Sequence, residues 1–281
     1  VNLLVIPHAM QKAQIWPWFG ILKQMSHISI VIPTFNEEGY IGRLLESIAN
    51  QTVQPQEVII VDSYSKDKTY HDIEKYITTL PLTCISVGRG IGLARNIGAQ
   101  AATGDVILFL DSDVELQSTF LEDAGSEFEE RCLDLASAHF YVDPDSPKVD
   151  RIGAKAISWY HASFQYSRNP MGSGFCIFIK KEWHKRIKGF NEQFRHSEDH
   201  DYVKRAVESG ASFRLLKSVR FKLSNRRYVH DGRFTILSLY TKAELNRLFF
   251  NYKYAPREQA LYNFGVFTKP NKNKRKSAQA S

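Results

Sequence analysis

Between residues 28 and 113, four short apolar runs rich in β-branched residues are separated by three segments of helical periodicity, and this alternation restricts the possible folds most. The first run, residues 28–33, breaks off at Pro-Thr-Phe-Asn, as a buried strand does on entering a turn. Ile41, Leu44, Leu45 and Ile48 then recur at i, i+3, i+4 and i+7, which predicts a helix with Asn36 as its cap and Glu37 and Glu38 at its start. Residues 58–61 predict a second strand ending at Asp62, 66–80 a second helix, 82–87 a third strand and 92–102 a third helix. The fourth strand, 106–110, closes on Asp111-Ser112-Asp113. Such an order demands right-handed crossovers, hence an α/β, Rossmann-like fold with a mainly parallel central sheet and helices on both faces. Ligands of these sheets bind beyond the carboxyl ends of the strands, so the polar residues that end the strands should share one rim.

The second half is less regular. A helix is expected over 118–131, a strand over 135–141, a helix within 149–166, a strand over 175–179 and a helix over 199–208. Residues 234–252 are apolar around more than half of a helical circumference, so that helix needs two partners. The chain therefore divides into an N-terminal extension (1–27), an α/β domain (28–232), an amphipathic helical segment (233–255) and a basic tail (256–281). Met25 stands as a natural start, since the first strand begins three residues later. Residues 1–24 are apolar, but Pro7, Lys12 and Pro17 interrupt them and no basic head precedes them, so they do not read as a signal peptide.

Composition narrows the class further. With 43% hydrophobic and 24% charged residues among 281, collagen-like and wholly disordered chains are excluded. Only Cys84, Cys132 and Cys176 are present, which argues against a disulfide framework and for a reducing, cytoplasmic setting. Of the +7 net charge, five units come from Lys269, Lys272, Lys274, Arg275 and Lys276, so the basicity is largely a tail and nucleic-acid readout is not indicated. No apolar run approaches the roughly 20 residues that cross a bilayer.

Asp111 and Asp113 leave the sheet two residues apart, and so close a pair repels unless a cation neutralises it. A hard divalent ion, Mg²⁺ or Mn²⁺, does so with one or two carboxylates and completes its shell with water and phosphate oxygens. The pair thus reads as a diphosphate anchor, with a solvated turn as the plain alternative. Asp62, an acceptor only, suits a base N–H or a ribose hydroxyl; a helix-capping role fits Ser65 or Asp67 better. Gly88, Gly90 and Gly92 are spaced wrongly for a dinucleotide fingerprint and open the third crossover instead of the first.

Together these pieces resemble family-2 glycosyltransferases of GT-A fold. The resemblance rests on residues 31–37 (VIPTFNE), 61–69 (VDSYSKDKT), 94–98 (ARNIG) and 104–113, then 172–174, 189–192 (GFNE) and 198–201 (EDHD), covering about 28–232. It implies that Pro33, Thr34, Glu37 and Asp62 hold a nucleoside, assisted by Arg95. Asp111 and Ser112 would meet the donor, and Asp113 would be the principal metal ligand. Asp199 would be the general base. Ser63 departs from the pattern, where many relatives carry a second acid.

A late carboxylate also has a physical rationale. Inverting transfer from a nucleoside diphosphate needs a base opposite the leaving group. Asp199 begins a helix whose N-terminus keeps a carboxylate ionised. Glu198 and Asp201 are its rivals, and the plain alternative is that the acids cap the helix and pair with Lys204 or Arg205. His230 is a candidate third metal ligand, and Arg226 and Arg227 are candidate phosphate binders. The expected donor is a UDP- or GDP-sugar, and the acceptor a carbohydrate or polyprenyl-linked group. Peripheral membrane contact through 233–281, at the inner face of the membrane, competes with a homodimer contact. The rival functions are a sugar-nucleotidyltransferase, disfavoured by the acidic residues after the first strand, and a non-catalytic sugar-nucleotide-binding protein.

Overall fold

The computed structural model describes residues 27–250 except 168, 195, 196, 227 and 229–231. The first four predicted strands are present as β1 (Ile28–Thr34), β2 (Glu57–Asp62), β3 (Leu82–Ser86) and β4 (Val106–Leu110). They pair in parallel in the order β3-β2-β1-β4. Between them run α1 (Ile41–Ala49), α2 (Thr69–Glu74) and α3 (Ile91–Ala101). β1 and β4 are buried along their whole length, as expected of strands covered on both faces.

The sheet continues through β5 (Val114–Leu116), β6 (Leu135–Val142), β7 (Cys176–Lys180) and β8 (Phe213–Leu223) to the full order β3-β2-β1-β4-β7-β6-β8-β5. β7 runs antiparallel to both β4 and β6, and β5 antiparallel to β8, whereas β6 and β8 are parallel. The eight-stranded sheet is therefore mixed, with β3-β2-β1-β4 as its continuous parallel part. The remaining helices are α4 (Phe120–Glu130), α5 (Lys148–Phe164), α6 (Lys181–Arg186), α7 (Glu198–Glu208) and α8 (Arg233–Phe250). Two buried clusters form, one on each face of the sheet: Ile30, Leu108, Phe178 and Phe221 on one, Val31, Phe109, Tyr202 and Phe213 on the other.

Three local expectations are corrected. Asn36 does not cap α1, which starts at Ile41 without a side-chain cap; Asn36 adopts φ 53° and accepts the Lys66 N–H at 2.9 Å. α2 is shorter than 66–80, because Asp67 and Thr69 are drawn into contacts with the β1–α1 loop and the chain past Glu74 turns. β8 was not anticipated at all. Extension 1–26, the tail and Tyr252 lie outside the described residues. Cys84, Cys132 and Cys176 are all free. Among the described residues no helix is long and apolar enough to cross a membrane.

Candidate active site

The loop after β1 is tied to the loop after β2 by its backbone. The N–H groups of Asn36, Glu37, Glu38 and Gly39 donate in turn to Ser65 Oγ, Thr69 Oγ1, Asp67 Oδ2 and Asp72 Oδ2, at 2.7–3.1 Å. This stitching shapes the carboxyl rim of β1 and β2, where Thr34 and Asp62 are register partners. Pro33 and Thr34 are both buried, and Thr34 Oγ1 donates to the Ile32 carbonyl at 3.3 Å. Asp62 remains half-buried at the rim and accepts from the Ser65 N–H at 2.9 Å and its hydroxyl at 2.5 Å. Ser63, the departure noted above, buries a hydroxyl that finds no hydrogen-bond partner.

Two arginines flank the acids after β4. Arg226, from the segment following β8, pairs with Glu37 through both terminal nitrogens, Nη2 to Oε1 at 2.7 Å, and brings Nε to 3.1 Å from Asp113 Oδ2. Its guanidinium lies 4.4 Å from the Tyr40 ring centroid. The Ser224 N–H donates to the Asp113 carbonyl at 3.1 Å and anchors that segment to the rim. Burial raises the Glu37 carboxyl to about 6, and the Arg226 hydrogen bonds offset only part of that effect. Beside Asp113 opens a cavity of about 60 Å³, bounded also by Tyr40, Arg43 and Lys222.

Arg95 is the second arginine. It sits mid-way along α3 with only 1% of its surface exposed. Nη1 donates to Glu198 Oε1 at 2.7 Å, and Nη2 to Asp111 Oδ1 at 2.8 Å and to the Gly174 carbonyl at 2.9 Å. The Phe190 ring covers it at 5.1 Å. Burial alone would lower its pKa, but Asp111, Glu198 and Asp199 hold it above the ordinary arginine value. So enclosed a group is placed to orient the carboxylates it binds.

Gly174 carries the link onward. Its N–H donates to Asp199 Oδ2 at 2.9 Å, while Asp199 Oδ1 accepts the His200 N–H at 2.9 Å. A Cβ at Gly174 would collide with the Asp199 carboxylate, so only glycine allows this approach. Asp199 stands in the first turn of α7, as predicted, between Glu198 bound to Arg95 and Asp201, which pairs with Arg205 at 2.7 Å. The pairing alternative therefore describes Asp201, while no side chain caps the helix. Glu198 is instead neutralised inside the molecule.

The structure thus gathers Glu37, Asp113 and Arg226 into one group and Asp111, Arg95 and Glu198 into another, joined through the backbone of Asp111-Ser112-Asp113, with Asp199 tied to the second through Gly174. Tyr40 was missed by sequence reasoning, and Gly174, within the 172–174 stretch of the resemblance, was given no role, because their partners are remote in the chain. His230 and Arg227 lie outside the described residues. Among the described residues no three His, Cys, Asp or Glu side chains form a metal-holding group.

Comparison with known proteins identifies the family. Residues 29–188 match the model of glycosyl transferase family 2. A chondroitin synthase of Escherichia coli is 32% identical over 196 residues, 67% of this chain and 28% of that protein, so the chain spans under a third of that relative's length. Among solved structures, Staphylococcus aureus TarS 1-349 in complex with UDP-GlcNAc superposes with a TM-score of 0.58 at 24% identity, over 71% of this chain and 58% of that one. The mannosyltransferase PcManGT from Pyrobaculum calidifontis, in complex with GDP-Man and Mn²⁺, gives 0.60 at 20% identity, over 79% and 65%. The family match covers more than half of the sequence and includes the rim, Arg95 and the acids after β4: the chain belongs to glycosyl transferase family 2.

Proposed function

We propose that the chain transfers a sugar, with inversion, from a UDP- or GDP-sugar to a hydroxyl or lipid-phosphate acceptor, a carbohydrate or a polyprenyl-linked group. One observation carries the reading: Arg95 binds Asp111 of the donor rim and Glu198 at the start of α7, while Gly174, which accepts from Arg95, donates to Asp199. Asp111 and Glu198, 87 positions apart in the chain, are thereby held around a single buried cation.

In this account the backbone at Pro33 and Thr34, with Asp62 and the buried Ser63 hydroxyl, receives the nucleoside. Asp111 and Ser112 meet the ribose and diphosphate. Glu37 acts by holding Arg226, which, with Arg227, faces the diphosphate. Asp113 and Glu37 already converge on one cationic group, so the site favours positive charge beside the departing phosphates. Mg²⁺ or Mn²⁺ held by Asp113 and Asp111, with His230 as a third ligand, would neutralise the leaving diphosphate.

Asp199 takes the proton of the acceptor hydroxyl as its oxygen attacks the anomeric carbon opposite the diphosphate. Two backbone N–H groups and the α7 N-terminus favour its ionised form. Glu198 acts through Arg95 to hold this geometry. A thermal-shift panel of nucleoside diphosphates and their sugars, with Mg²⁺ or Mn²⁺, tests the donor site. Metal-dependent stabilisation by one nucleotide, lost in Asp113→Asn, is expected; no stabilisation across the panel would refute it.

A further inference from the structure

The outer face of α5 joins an apolar stripe to a row of cations. At about 100° per residue, Val149, Ile152 and Trp159 fall within roughly 80° of helix circumference. They are 60%, 69% and 72% exposed. Lys148, Arg151 and Lys155 are exposed along one flank of the same stripe. Among the described residues no carboxylate comes within ion-pair range of these three cations. The helix has one acid, Asp150, and it points inward to accept both Arg233 Nε at 2.6 Å and Nη2 at 2.9 Å. The helix's own outer face therefore carries no acid, and Glu244 of α8 meets it at the flank away from the cations, where its Oε2 accepts the Tyr160 hydroxyl at 3.0 Å.

We propose that this face docks α5 on an anionic lipid bilayer. Tryptophan beside aliphatic side chains suits the headgroup boundary, and the flanking cations match anionic lipid. A second copy matches less well. A two-fold contact would offer the face only its own groups, bringing the cations of both copies together, with Glu244 at the other flank already bonded to Tyr160. The placement also differs from residues 233–281, expected from sequence to make the contact.

The inner side of α5 gives the docking a purpose. His161 packs edge-to-face on His200 at 6.2 Å, next to Asp199, and Ser158 Oγ meets His139 Nδ1 at 2.9 Å. The bilayer would then lie about one helix diameter, roughly 10 Å, from the α7 start, within reach of an acceptor head borne on a lipid.

Co-sedimentation of the full chain tests this with vesicles of phosphatidylcholine alone and of equal parts phosphatidylcholine and phosphatidylglycerol. Binding to the anionic vesicles only, weakening with salt, is expected. Ile152→Glu with Trp159→Glu, and separately Arg151→Glu with Lys155→Glu, should each lower the partition coefficient at least about tenfold. If the apolar pair disturbs folding, the charge pair alone decides. Absence of native binding, native-like binding by the variants, or a dimer in light scattering that the same substitutions dissolve would overturn the proposal. Vesicle binding is read without donor or acceptor, so its failure and a failure of the transferase reading are separate results.

Discussion

Arg95 does more than any other single residue to organise the site, and its cost is visible in its burial. A guanidinium withdrawn from water survives only with partners, and Asp111, Glu198 and the Gly174 carbonyl supply them. Arg95→Met would leave two carboxylates around an apolar side chain, so a loss of about 3–5 kcal/mol in urea unfolding is predicted; a loss below about 1 kcal/mol would show that the pairs are dispensable. His184 offers a pH-dependent counterpart. Burial, then Arg205, depresses its pKa from 6.5 to about 4, and Nδ1 meets the Tyr202 hydroxyl at 2.7 Å. The unfolded chain takes up the proton first, so this residue's stability contribution is complete above pH 6.5 and declines as pH falls towards 4. That decline amounts to about 3 kcal/mol at 1.36 kcal/mol per unit. His184→Asn should start less stable and lose less across that window, as unfolding curves at successive pH values will show. The acids at strand ends were legible because position alone aims them at the rim. The arginine partners were not, since Arg95 and Glu198 are 103 positions apart and Glu37 and Arg226 are 189.

At the scale of elements, what was legible followed one uninterrupted period. α1 and α7 bury the residues their spacing predicts, and β1, β2 and β4 are continuous apolar runs; α3 instead buries Gly92, Ala94, Arg95, Gly98 and Ala99 and leaves Ala101 exposed. β8 escaped because its period is broken. Its pairing with β6 runs from Leu216 opposite Ala138 to Arg220 opposite His139, so three extra residues change which parity faces the core. Leu216 therefore shares a face with Phe221 and Leu223, and no single alternation links them. The α7 start depends on an equally local requirement. Gly174→Ala would press a methyl against Asp199, and a stability loss of about 1–3 kcal/mol is expected. Its transfer rate should fall on the order of 10²-fold through misplacement of that carboxylate. A rate equal to the native chain's would show that the Gly174–Asp199 approach has no part in the chemistry.

For the whole molecule, the alternation over 28–113 anticipated the parallel half of the sheet, whereas the antiparallel insertion of β7 between β4 and β6 had no local signature. That insertion has a consequence for function. The chain enters β7 through Gly174, so the strand beside β4 delivers the peptide that joins Arg95 to Asp199. Topology, more than any one motif, assembles the two acid groups. Donor binding and donor turnover measured side by side in Asp199→Asn test this most directly. Nucleotide-sugar affinity, by calorimetry, should stay within about twofold of native while sugar transfer falls on the order of 10²–10⁴-fold. Native transfer, or loss of donor affinity in step with transfer, would contradict the account.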